Sequence, residues 1–146
     1  MAFLGGPEFT NSFISLYSYC NRFWPARQVA WRRAFCLNYM VKEEKQLEIN
    51  NAIQQITVHI NAHDPEYGHW YIGIAKDPNQ RLFQQHSVDK TRGDFLVIET
   101  SSDEIAREVE SYFTTISHIQ GGPGGGDENS KYVYIYKITP NTREEA

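Results

Sequence analysis

Between Trp70 and His86 the chain reads Trp-Tyr-Ile-Gly-Ile-Ala-Lys-Asp-Pro-Asn-Gln-Arg-Leu-Phe-Gln-Gln-His, an order that few backbones can accommodate. Trp70, Ile72 and Ile74 alternate with Tyr71, Gly73 and Ala75, which predicts a strand over 69–75 with two unlike faces. Asp77 at a helix N-cap, Pro78 at the first helical position and Gln80 three residues past the cap predict a sharp turn into a short helix ending near His86. A Tyr, an Arg and a His thus follow one another on a strand, a turn and a helix. The other elements are placed relative to this run.

Upstream, Lys42 to Gln55 is charged and then apolar, and reads as a lead-in helix or turn. Ile56-Thr57-Val58-His59-Ile60 alternates with period two, so it is expected to pair with 69–75 as a hairpin across the loop at 61–68. In that register Thr57 and His59 share the face of Tyr71. Downstream, 94–100 is apolar on both faces and is expected to be a strand buried on both sides. Ser101 and Glu104 form a capping box for a helix whose apolar positions are Ile105, Val109, Tyr112 and Ile116. The run Gly121-Gly122-Pro123-Gly124-Gly125-Gly126 excludes regular structure. A last strand at 132–138 places Tyr132, Tyr134 and Tyr136 on one face. The expected fold is α+β: a small central sheet, built from the hairpin and further strands, flanked by helices.

The 146 residues suffice for one core and point to a single domain over 40–140, with a polar tail at 141–146. Residues 1–39 differ in character: four arginines face one glutamate, a net charge of +3. They read as a targeting leader, as an arm for a protein partner or a second copy, or as an extension left by cloning or an upstream start. A helix over 27–39 is expected there. Residues 40–146 carry ten basic and seventeen acidic side chains, a net −7, which weighs against broad duplex binding but permits a local basic patch. Cys20 and Cys36 allow one bridge and show no metal-knuckle spacing, so a reduced intracellular, cytoplasmic protein is expected. No apolar run is long enough for a membrane span.

His59, His63 and His69 lack a Cys or Glu at ligand spacing, so a zinc site is not expected. No Lys-Ser/Thr follows the glycine run, which excludes a phosphate-binding P-loop. The run reads as a connector, and the tyrosine stripe as a face packed on a helix.

Tyr71-Ile72-Gly73, with Arg81 ten residues after the Tyr, then His86, the strand at 94–100 and Glu110 on the following helix, resembles the GIY-YIG nuclease superfamily over roughly residues 55–117. The resemblance implies a three-stranded sheet with flanking helices and metal-dependent cleavage of DNA phosphodiesters. By that resemblance Tyr71 orients or activates the nucleophile, while Arg81 binds the scissile phosphate with His86 beside it. Glu110 holds a magnesium or manganese ion. The family's Gly-Ile-Tyr strand is missing, with 56–60 in its place, and His59 is the candidate stand-in, since an imidazole is a competent base near neutral pH. Asn129 and Asn141 are candidates for a further family asparagine. The alternative implied is a non-catalytic binding or scaffolding module that retains the fold.

Overall fold

From Ile49 to Ile60 apolar residues recur every three or four positions, and this longer period overrides the five-residue alternation at 56–60. The computed structural model describes residues 29–122 and 129–144. In it a single helix, α1, runs Val29–His63. Ile49, Ala52, Ile56 and Ile60 are buried, whereas Val58, which a strand would bury beside Ile56, is 61% exposed. The expected strand at 56–60 and its hairpin are therefore helix. Five residues fit either period, and the surrounding twelve fit only the helical one.

The chain divides into two units, Met1–Val41 and Lys42–Ala146. In the first, the expected helix is present from Val29. The leader, arm and cloning readings, and the possible partner or oligomer contact they imply, rest mainly on residues 1–28, outside the described residues. No described helix is long and apolar enough to cross a membrane.

The second unit contains strands β1 (Trp70–Ala75), β2 (Phe95–Glu99), β3 (Gln120–Gly121) and β4 (Tyr132–Lys137), with α2 (Asp103–Thr115) between β2 and β3. The sheet order is β2-β4-β1-β3. β4 is antiparallel to both its neighbours, and β3 runs parallel to β1. The fold is α+β, with β4 and not 56–60 as the antiparallel partner of β1. β2 lies at an edge, so Phe95 to Ile98 are half-buried and not covered on both sides.

Strand alternation splits the core in two. Trp70, Ile72 and Ile74 join Val133 and Ile135 beneath α1 and α2, packed on Ile56, Ile60, Val109 and Phe113. Tyr71 and Ala75 join Tyr134, Tyr136, Leu82 and Val88 on the other face. Ser102, one residue later than expected, caps α2 by accepting from the Ile105 amide at 3.4 Å. Ser101 instead donates its amide and hydroxyl to Glu48 of α1, both at 2.7 Å. Tyr112 is half-buried, but Ile116 is 64% exposed, just past the helix end, where Phe113 takes the core position. Asp64 ties α1 to the sheet: its carboxylate accepts from Lys137 at 2.9 Å and His69 at 3.0 Å, and its carbonyl from the Trp70 indole at 2.9 Å.

Candidate functional site

The helix expected after Asp77 begins as its sequence dictates. Asp77 Oδ1 accepts from the amides of Asn79 at 3.0 Å and Gln80 at 3.1 Å. From Gln80 to Gln85 the helix widens into a π turn, and the His86 amide donates to the Arg81 carbonyl at 2.8 Å. On a uniform α-helical count, Arg81 and His86 point apart. Closure over five residues turns them toward the same side, and the charge of Arg81 acts on the His86 ring. Arg81 also donates to Gln85 across this turn.

His86 is buried against three tyrosines, its ring centroid 5.1 Å from Tyr71, 5.1 Å from Tyr136 and 5.6 Å from Tyr134. Nδ1 lies 2.6 Å from the Arg143 carbonyl oxygen, and Nε2 lies 3.0 Å from the Tyr134 hydroxyl. A carbonyl only accepts, so Nδ1 carries the proton; in the neutral ring Nε2 then accepts, and Tyr134 donates its O–H to it. Burial pushes the His86 imidazole below its ordinary pKa, outweighing the upward pull of the Arg143 carbonyl, which keeps the ring neutral. Both ring nitrogens are engaged within the protein, so His86 does not present itself to substrate as expected.

Tyr134 pairs across the ladder with Gly73. A Cβ on Gly73 would stand 2.5 Å from the Tyr134 hydroxyl and 2.7 Å from Cζ, so this glycine, on the Tyr71 face of β1, leaves the space that ring occupies. Burial raises the Tyr134 phenol far above its ordinary pKa. Tyr71 is buried and stacks on Tyr136 at 5.2 Å. Burial raises its pKa too, partly offset by a backbone hydrogen bond from Gly122 and the charge of Arg81. Neither phenol is ionised near neutral pH, so each keeps an O–H to donate. The Tyr136 hydroxyl is buried, with no hydrogen-bond partner among the described residues.

Glu110, on α2, is half-buried, and desolvation raises its carboxyl pKa, with Arg107 pulling it down. Its charge acts on both Tyr71 and Tyr134, as does that of Arg81. Tyr71, Arg81 and His86 therefore gather with Tyr134 of β4 on one face of β1, while Glu110 stands on α2, next to Val109 of the opposite core, and its charge reaches both tyrosines.

His59 does not join them. It lies on α1, 5.5 Å from the Trp70 ring and 4.3 Å from His63. Trp70 and Tyr71 point to opposite faces of the sheet, so His59 is behind it. Its Nε2 is buried, with no hydrogen-bond partner among the described residues. Asn129 and Asn141 are exposed, in turns before and after β4. Gln120 and Gly121 of the glycine-rich stretch form β3, while 123–128 lie outside the described residues.

No family model matches the chain, and no curated protein or solved structure matches it. The site is therefore judged on its own chemistry. Among the described residues no group of three or more His, Cys, Asp or Glu is placed to hold a metal ion. Magnesium is commonly bound by one or two carboxylates and otherwise by water and substrate phosphates. A single half-buried Glu110 fits that shared mode and not a cage made by protein alone.

Sequence reasoning missed Tyr134 and the Arg143 carbonyl. The tyrosine stripe of β4 was legible; its placement beside Tyr71 was not.

Proposed function

We propose that the domain is a GIY-YIG-like, divalent-metal-dependent phosphodiesterase acting on DNA in a reduced intracellular setting. The observation that supports it is the gathering of Tyr71, Arg81, His86 and Tyr134 on one face of the sheet, with the charge of Glu110 on α2 acting on both tyrosines. In this reading Arg81 binds the scissile phosphate and stabilises its developing charge. Glu110 holds magnesium or manganese, which when bound supplies Lewis-acid polarisation of the phosphate. His86 is the base. A water attacking phosphorus passes its proton to the Tyr134 oxygen as Tyr134 gives its own to His86 Nε2, and the P–O bond to the leaving oxygen breaks. Tyr71 orients the water or a phosphate oxygen as a neutral phenol. His59 has no part.

Plasmid nicking with magnesium or manganese tests this. Glu110→Ala and Arg81→Ala are each expected to reduce the rate by about a hundredfold or more with the fold intact by circular dichroism. Wild type without activity, or Glu110→Ala as active as wild type, overturns it. One observation favours the non-catalytic alternative: the hydrogen bonds of His86 are all satisfied internally, as in a structural histidine. Under that reading Tyr134→Phe affects stability alone; under the enzymatic reading it slows nicking in a protein that still melts cooperatively.

A further inference from the structure

Arg81 belongs to two places at once. Besides acting on Tyr71 and Tyr134, it lines an open cleft of about 820 Å³, together with Lys76, Gln85, Ser130 and Tyr132. That volume falls in the range of small-molecule sites, about 300–1,000 Å³. Tyr132 pairs with Ala75 in the ladder that pairs Tyr134 with Gly73 and Tyr136 with Tyr71. It therefore continues the tyrosine row on the same face, one step beyond the site. Asp77 is the acidic residue in the lining, and its Oδ1 already accepts the Asn79 and Gln80 amides. Lys131, tied to Glu99 at 2.6 Å, stands 5.7 Å from the Tyr132 ring and steadies it.

We infer that this cleft takes an unpaired nucleotide of the substrate strand, its base against Tyr132 and its phosphates on Arg81 and Lys76. The inference rests on the phosphodiesterase reading and adds the class of substrate. A base inside a duplex has its faces covered by its neighbours and shows only its edges, so an aromatic side chain in a cleft suits a base out of the stack. The side-chain amides of Asn79 and Gln80 offer partners for base edges. Two cations match one or two phosphates, whereas a duplex laid along a surface of net −7 would meet repulsion.

Fluorescence anisotropy with three labelled probes tests it: a thymidine oligonucleotide of about ten residues, a blunt duplex of the same length, and an abasic strand. The unpaired oligonucleotide is expected to bind at least about tenfold more tightly than either of the others. Tyr132→Ala should erase that advantage and Tyr132→Phe should keep it. Should Tyr132→Ala not fold, Lys76→Glu at an exposed position carries the test, with about tenfold weaker binding of the unpaired strand expected. Equal affinity for duplex, no binding to any probe, or unchanged binding in folded Tyr132→Ala or in Lys76→Glu overturns the inference. If nicking persists alongside such a result, the cleft is off the substrate path and the phosphodiesterase reading stands. If wild type does not nick at all, both fall.

Discussion

His59, half-buried, and His86, buried, both have a lowered pKa, but desolvation has different consequences for them. Arg143 and Tyr134 satisfy both nitrogens of His86, while Nε2 of His59 has no partner among the described residues. Desolvation lowers the pKa of each; His63 lowers that of His59 further, and Asp94 opposes this. A folded-state pKa below the unfolded value means that the unfolded chain binds protons first on acidification. Stability is then full above pH about 6.5 and lost as pH falls. The urea midpoint is expected to drop between pH about 7.5 and about 5. His59→Leu should make that slope shallower while leaving stability at neutral pH within about 1 kcal/mol of wild type, because it removes an unsatisfied buried nitrogen. An unchanged slope would assign the acid sensitivity to other groups. Which of the two histidines is internal to the site was not legible from strand parity, since parity was applied to a segment that is helix.

At the scale of elements, β1, the Asp77 cap, β2, α2 and β4 were legible, because each carries its own periodicity or cap within a few residues. α1 was not, because Ile56 to Ile60 satisfies two periods at once and only Ile49 and Ala52 decide between them. The π turn was also hidden: the spacing from Arg81 to His86 assigns them to different sides of an α-helix, and only the backbone hydrogen bond over five residues shows otherwise. The helical reading of 56–60 has a direct consequence for mutagenesis. Val58→Lys is expected to change stability by no more than about 0.5 kcal/mol, while Ile56→Ala and Ile60→Ala each cost about 2–5 kcal/mol. Denaturant titration that found Val58→Lys as costly as Ile56→Ala would restore the strand.

Over the whole molecule, a net charge of −4 sets the electrostatic character of any nucleic-acid encounter. With Arg81 and Lys76 as the phosphate ligands, two counterions are displaced. The logarithm of the single-strand binding constant should then fall with the logarithm of salt at a slope of about −1.4. A slope of several units would require a broader basic surface than the cleft provides. Chain order gives the sheet a further property. β4 lies between β2 and β1 yet follows both in the chain, and β1 and β2 share no ladder with each other. During synthesis both must wait for the same late strand, so the sheet can close only once Lys137 has left the ribosome. Tyr71 and His86 meet Tyr134 in that same event. A nascent chain therefore carries every residue of the proposed catalyst up to Glu110 without being able to act, and the catalyst is assembled only when β4 docks.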